Sequence, residues 1–422
     1  MTVLDGATNG IGASCRSCGQ KGLEVFLSLG DMPLPNAFVH PDRVHEPEER
    51  FPLDVAFCPI CCLVQLVSDI PTERMFENSY LYFSSFSDHL LRHSRQHAHD
   101  LIESRGLGPG SLVVELASND GYLLRNFVEA GIPCVGVDPA PEPAEAARRI
   151  GVDTIQEFFG RALARKLAAT RRQADVVIAN NVMAHVSDLN DFIGGMAELI
   201  ADDGLITVEN PYLRTLINHT MFDTIYHEHV CYYSCTSVAH LVERHGLFLN
   251  DVVPFADLHG GTLRWHISKR PGRTERLETF LHDEQACGLN GIGYYLGFGS
   301  RVERLRSELV ELLHGLRQDG ATIAGYGAAA KGTVMLNYAG IGTDVLDYVV
   351  DRNVHKHGYY MPGVRVPIVG PERLREDRPD YTLLLAWNFA DEIVRQQEEY
   401  VRLGGRFVVP VPQPKVLSPE YV

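Results

Sequence analysis

The sequence predicts an α/β protein in three parts: a small N-terminal metal-binding module, a central Rossmann-like domain and a second Rossmann-like domain. Three observations predict it. Two Cys-x-x-Cys pairs, Cys15/Cys18 and Cys58/Cys61, flank short apolar runs near the start. Strand-like apolar runs then alternate with helical segments between about 111 and 209. The same alternation resumes after a long amphipathic helix beginning near 302. Strands alternating with helices are the pattern of a doubly wound parallel sheet. The expected boundaries are 1–75, 76–290 and 291–422.

In the first part the apolar runs are short, Val25-Phe26-Leu27 and Leu63-Val64-Gln65-Leu66, with several prolines between them. This reads as a β-rich module stapled by metal. Four thiolates in two close pairs suit tetrahedral zinc, with Gly19 and Pro59 placed for the knuckle turns. The set leaves no thiol for an open coordination position, so a structural site is favoured. Cys62 is an alternative to Cys61 as ligand, and a redox role for one pair is the lesser alternative. Residues 1–13 are polar and Gly-rich, lack a basic apolar leader, and are expected to form a frayed tail.

The central part opens with the aromatic and serine-rich stretch 80–86, followed by a helix over 88–104. Segments 111–116, 134–138, 174–179 and 205–209 read as buried strands, and 121–130 and 143–150 as helices. The last part opens with a helix whose apolar positions Val302, Leu305, Leu309, Leu312, Leu313 and Leu316 share one face. Strand 322–324, a turn over 325–332, another helix and strands 345–350, 381–386 and 407–411 follow.

Composition excludes several classes. The 38 basic and 54 acidic residues give a net charge of −16, which argues against a large nucleic-acid surface. The chain has no apolar run long enough to span a bilayer. Nine cysteines, four of them at metal spacing, suit a reducing, cytoplasmic location better than a disulfide scaffold. No heptad seam argues for an oligomer.

Four motifs carry candidate chemistry. Tyr226-His227-Glu228-His229 crowds two imidazoles, a phenol and a carboxylate into four residues, a density suited to proton transfer near neutral pH. A surface loop or a stray metal site is the plainer alternative. The run Glu115-Leu116-Ala117-Ser118-Asn119-Asp120-Gly121 joins a strand to a helix. Its small residues admit a ligand close to the backbone. The G-x-G-x-x-G of dinucleotide sites is absent, and Asp138 ends the next strand, where a carboxylate can accept both ribose hydroxyls. That pairing favours S-adenosylmethionine over a pyrophosphate cofactor; an ordinary βα turn is the alternative. Asn180 and Asn181 end another buried strand and are candidates for cofactor polar groups, with His185 just beyond them. Gly325-x-Gly327-x-x-x-Lys331 offers a helix N-terminus and a point charge to a phosphate, or is a plain tight turn.

Taken in order, these motifs resemble the sugar C-methyltransferases that act on nucleotide-linked 4-keto deoxysugars in antibiotic biosynthesis. The resemblance runs from Cys15 to about Pro412 and includes the 80–86 segment. It implies a zinc domain, an S-adenosylmethionine-dependent methyltransferase domain and a C-terminal Rossmann-like domain that helps hold the sugar nucleotide. It further implies a dTDP-sugar substrate, methylated on a carbon beside the ketone. His229 then looks like the general base, with Tyr226, Glu228, His185 and Tyr80 around it, and Tyr82 and Lys331 toward the substrate. Ala117 stands where many members have Gly. Two other readings compete: a nicotinamide-dependent sugar oxidoreductase using the C-terminal turn, and methyl transfer to oxygen or nitrogen. Cys231 and Cys235 receive no role.

Overall fold

The structure, a computed structural model, describes residues 8–9, 12–68, 70, 83–256, 258 and 260–418. Its described strands form three sheets. The first is antiparallel, in the order Thr8–Asn9, Glu24–Met32, Phe51–Phe57, Val64–Leu66, Cys231–Tyr232. Within the expected frayed tail, Thr8–Asn9 therefore pairs as an edge strand; residues 1–7, 10 and 11 lie outside the described residues. The fifth strand belongs to the central part of the sequence. Cys231 pairs with Gln65 and Tyr232 with Val64, so the segment following the Tyr-His-Glu-His motif completes the zinc module's sheet.

The second sheet has seven strands in the order Phe248–Phe255, Thr262–Ser268, Ile200–Pro211, Ala174–Asn180, Val113–Leu116, Cys134–Val137, Thr154–Ile155. The last five run parallel, and the first two form an antiparallel hairpin on the edge. Val113, Val114, Leu116, Val176, Val177 and Ile178 are fully buried, which is why their segments read as unbroken apolar runs. The chain order reverses between Val113–Leu116 and Ala174–Asn180, so a ligand crevice is expected at the carboxyl ends of these two strands. Helix Asp88–Arg105 starts on a Ser87 cap and ends at Gly106, whose φ of 60° suits glycine. It is held to the sheet by a buried cluster in which Glu209 accepts from His93 Nε2 (3.0 Å) and from Arg264 Nε (2.5 Å).

The expected 121–130 helix is shorter, Arg125–Glu129. The reason is local: Ala117, Asn119 and Gly121 take φ values of 55°, 49° and 77°, so the chain turns through the left-handed region before it can coil. Ala117 thus occupies a conformation that favours the glycine found there in many members of the resembled family.

The third sheet has the order Ile368–Val369, Val349–Val350, Ile323–Tyr326, Tyr381–Leu384, Arg406–Val409, Lys415–Val416, parallel except for the last strand. Helix Phe298–Gln318 buries Val302, Leu305, Leu309 and Leu313, while Leu312 and Leu316 lie at the flank of that face. Its start packs on the zinc module: Phe26 meets Tyr295 at 4.9 Å and Phe298 at 6.4 Å between ring centroids. One apolar core is therefore shared by the first and third parts. Glu284 is a buried carboxylate accepting from Tyr212 Oη, Cys235 N, Thr236 N and Thr236 Oγ1 at 2.7–2.9 Å. It anchors the N-terminus of helix Cys235–Glu243, where negative charge is stabilising. Among the described residues, no helix is long and apolar enough to cross a membrane.

Candidate active site

A cavity of about 810 Å³ opens where the three parts meet. The zinc module contributes Asn36 and Phe38, the central sheet Asp138 and Asn180, and the third part Lys331 and Asp351. Its size and mixed lining suit a small-molecule site.

On the central side, Asp138 accepts the Asn119 N–H at 2.8 Å through one carboxylate oxygen and the Ala140 N–H at 2.9 Å through the other. Burial raises its pKa, and the two backbone donors oppose that. Each oxygen keeps a lone pair for a ribose hydroxyl. Asn181 sits at φ 54° and donates its N–H to the Glu209 carbonyl at 2.7 Å, which turns the chain across the strand end. Asn180 Oδ1 is buried and has no hydrogen-bond partner among the described residues, as an acceptor awaiting a ligand would be. These groups fit the adenosine end of S-adenosylmethionine.

Two expected cofactor residues do not line the cavity. Glu115 is enclosed in its strand beside Asp138 and Asp120, and burial holds its carboxyl well above the usual range. Gly121 faces helix Pro141–Arg149 and its following turn instead, where an added Cβ would come 3.0 Å from Val152 and 3.2 Å from Ile150. Its glycine serves close packing of the turn. Asn119 lines the cavity, but its side-chain oxygen accepts the Ser84 N–H at 2.9 Å, pinning the segment before helix Asp88–Arg105. Tyr80 and Tyr82 lie outside the described residues.

The Tyr-His-Glu-His motif divides between cavity and core. His229 places its ring against Tyr226, with centroids 3.9 Å apart, and its Nε2 is 2.6 Å from the Tyr226 hydroxyl. Its Nδ1 is 3.0 Å from the Thr224 carbonyl. A carbonyl only accepts, so Nδ1 carries the proton and Nε2 presents its lone pair. Thr224, and not the neighbouring carboxylate, sets this tautomer. His185 meets the His229 ring edge-on at 4.8 Å, and burial pushes its pKa down to about 4, so it is neutral at pH 7. Glu228 also faces the cavity, and both its oxygens accept from Asn36 Nδ2, at 2.7 and 2.8 Å. His227 points away to the Phe51 carbonyl at 3.2 Å and is a core residue, its pKa lowered by burial. The motif's next residue, Val230, donates its N–H to the Ala184 carbonyl and accepts from Leu66 N. Backbone pairing thus joins the His185 turn, the motif and the zinc module.

The C-terminal turn borders the same cavity through Gly327, Ala329 and Lys331. Gly327 is required by a φ of 96° and by Ala386, whose Cβ would lie 2.7 Å from an added Cβ. Lys331 stands 3.3 Å from Asn388 Oδ1 and 4.9 Å from the Trp387 ring. Burial lowers its pKa and the Asp223 carboxylate opposes that. Asp223 itself is pushed up to about 6 by burial. Asp351 repeats the Asp138 arrangement in this second unit, accepting from Ala328 N and Asn353 N at 2.8 Å each.

Cys15, Cys18, Cys58 and Cys61 bring their sulfurs within 4.8 Å of one another. The Gly19 N–H donates to the Cys15 carbonyl and the Cys62 N–H to the Cys58 carbonyl, closing the two knuckles. Hydrogen bonds from Cys15 and Cys61 hold the Cys58 thiol low, while those to Cys58 and Cys61 push Cys15 up. A divalent cation relieves this competition by letting all four ionise, so the donor set fits tetrahedral zinc. Cys62 is not part of it; its sulfur turns toward the Asn290 carbonyl at 3.8 Å. Asn36 and Thr224 escaped the sequence reading. Asn36 sits in an ordinary Pro-Leu-Pro-Asn turn signal, and Thr224 acts through its backbone carbonyl, which leaves no trace in residue type.

Three family profiles match the chain in order: "Putative zinc binding domain" over 15–76, "Methyltransferase domain" over 88–250 and "C-methyltransferase C-terminal domain" over 257–412. The C-methyltransferase NovU of Streptomyces niveus is 38% identical over 409 residues, covering 96% of this chain and 97% of its own. A ubiquinone biosynthesis O-methyltransferase of Azorhizobium caulinodans is 28% identical over 122 residues, 29% of this chain and 47% of that one. Among solved structures, the magnesium protoporphyrin IX methyltransferase of Synechocystis with bound SAM is 14% identical, covers 43% of this chain and 82% of its own, and superposes with a TM-score of 0.33. That overlap is too slight to support any argument.

Proposed function

This chain belongs to the C-methyltransferase family, uses S-adenosylmethionine and binds zinc; from that premise we propose that it methylates a carbon beside the 4-ketone of a dTDP-4-keto-6-deoxysugar. Carbon 3 is favoured over carbon 5, in a cytoplasmic deoxysugar pathway of antibiotic biosynthesis. The observation that carries the reading is the His229–Tyr226 pair, with its proton position set by Thr224, at a cavity between two Rossmann-like halves.

A carbon next to a ketone bears a weakly acidic C–H. In the proposed reaction His229 Nε2 takes that proton, and Nδ1–H, held by the Thr224 carbonyl, stabilises the imidazolium that forms. The Tyr226 hydroxyl donates to Nε2 in the free enzyme and passes to the developing enolate oxygen when substrate is bound. Glu228 accepts from a polar group of the sugar. His185, neutral, gives its ring N–H to the Glu228 backbone carbonyl and so holds the motif in place. S-adenosylmethionine, when bound, supplies an already activated methyl group, so the protein's task is proximity, deprotonation and exclusion of water. Asp138, Asn180 and Asn181 are the proposed cofactor contacts, and Lys331 a sugar-nucleotide contact.

Incubation with S-adenosylmethionine and a panel of dTDP-4-keto-6-deoxysugars in deuterated water tests this. A new C-methyl signal by NMR in the product, with solvent deuterium at the acidic carbon of sugar recovered unmethylated, is the expected result, and the position of the methyl separates carbon 3 from carbon 5. Cofactor binding with neither methylation nor exchange of any sugar would refute the substrate class and favour oxygen or nitrogen as acceptor. Asp138→Ala is expected to weaken S-adenosylmethionine binding about tenfold to a hundredfold, the worth of hydrogen bonds to a charged acceptor. Calorimetric titration reads this; unchanged affinity in a folded variant removes Asp138 from the cofactor site.

A further inference from the structure

Among the described residues, the zinc module reaches the reaction centre with one polar side chain. Asn36 follows strand Glu24–Met32 on a loop stiffened by Pro33 and Pro35. The loop is tied to the third part on both sides of this residue. Thr333 Oγ1 donates to the Pro35 carbonyl at 2.9 Å, and Val39 exchanges backbone hydrogen bonds with Tyr360. From this mount the Asn36 amide lies 2.7 Å from one Glu228 oxygen and 2.8 Å from the other. Both oxygens lie on one nitrogen and subtend a narrow angle there, so an N–H is shared between them. A protonated carboxyl would turn an O–H toward that donor or give up one of the two contacts, so the pair favours the carboxylate.

We propose that Asn36 is a positioning residue: its amide aims the Glu228 carboxylate into the cavity and favours carboxylate over acid, so the zinc module completes the reaction centre. The proposal rests on the reading of Glu228 as a substrate-facing group. Its surroundings support it. Glu228 is 4% exposed, and burial pushes its pKa up to about 7, with Asn36 acting in the opposite direction. Among the described residues, Tyr226 and His229 from its own segment and His185 from the neighbouring turn line the cavity with it. Lys331, Asp351, Arg352, Lys356 and Glu392 of the third part line the same cavity, and the described zinc-module loop presents no charge there.

The test needs no substrate in its first arm. Because the folded pKa of Glu228 lies above its ordinary value of 4.5, the folded protein holds a proton that the unfolded chain releases. That group's contribution to stability is full at low pH and falls as pH rises toward about 7. In Asn36→Leu the fall should extend about one to two pH units higher, the size of one charge-assisted hydrogen bond. Melting temperature against pH is measured for wild type and Asn36→Leu, each also with Glu228→Gln. The extension should vanish in the Glu228→Gln background; an equal pH effect in both backgrounds overturns the proposal. Asn36→Ser keeps one donor, should shift by less, and serves if the leucine variant does not fold. In the second arm, methyl transfer to a dTDP-4-keto-6-deoxysugar should show its acid limb moved upward in Asn36→Leu, with turnover recovering at high pH. An unmoved limb with uniformly lowered turnover also overturns it. If wild type methylates no sugar, the functional reading fails, and the first arm alone decides Asn36.

Discussion

His229→Asn is expected to lower turnover by about a hundredfold or more, the usual worth of a general base, with S-adenosylmethionine affinity near wild type. The geometry supports both halves of that expectation. Asparagine is short, so its amide cannot occupy the place of Nε2, 2.6 Å from the Tyr226 hydroxyl, and it is not basic. The proposed cofactor groups, Asp138, Asn180 and Asn181, are held by other contacts: Asp138 by Asn119 and Ala140, Asn181 by the Glu209 carbonyl. Neither neighbouring imidazole takes over as base. His185 is driven to about 4, a weaker base, and His227 is turned into the core. Single-turnover methyl transfer and calorimetry on the same preparation check the two halves; unimpaired turnover would remove His229 from the mechanism.

Removal of zinc is the second large effect. Chelation is expected to lower the melting temperature steeply and to abolish activity in step with unfolding. Structural zinc sites contribute about 10–16 kcal/mol of apparent binding free energy in isolated fingers, comparable to a whole domain's stability. Here the knuckles also support other parts of the molecule. Beside Cys15, Arg16 Nη2 donates to the Ser68 carbonyl at 3.0 Å and Arg16 Nη1 to the Ser187 carbonyl at 3.5 Å. Asn190 Nδ2 donates to the carbonyls of Arg16 and Ser17 at 3.0 and 3.1 Å, and Arg244 holds Ser17 Oγ at 2.7 Å. Ser187 borders the cavity, two residues after His185. Loss of the metal should therefore loosen the first sheet, its Cys231–Tyr232 strand and the His185 turn together. Calorimetry with and without chelator, followed by zinc readdition, measures this. A chelated protein that stays folded and binds S-adenosylmethionine but has lost activity would contradict a purely structural metal.

Local pattern carried much of the architecture. Helix Phe298–Gln318 was legible because its apolar residues recur with the helical period, and the parallel strands because burial on both faces demands continuous apolar runs. The four cysteines were legible because a knuckle needs both ligands within one tight turn. Tyr226, Glu228 and His229 stood out by their density of titratable groups, and the fold brings them and His185 to one cavity.

What the sequence by itself determined is what neighbouring residues decide: element type, metal spacing and the order of α/β units. Tertiary structure alone decided pairings between distant segments, because contacts across long separations leave no periodicity to read. Cys231–Tyr232 joins the zinc module's sheet through Gln65 and Val64, and the edge hairpin of Phe248–Phe255 and Thr262–Ser268 extends the central one. Glu115 and Gly121 belong to a cofactor-like motif, yet packing turns both away from the cavity wall. Asn36 meets Glu228 across 192 positions of chain, and the Thr224 carbonyl sets the His229 proton through an atom every residue possesses. Such contacts exist only once the three sheets have been brought around one cavity.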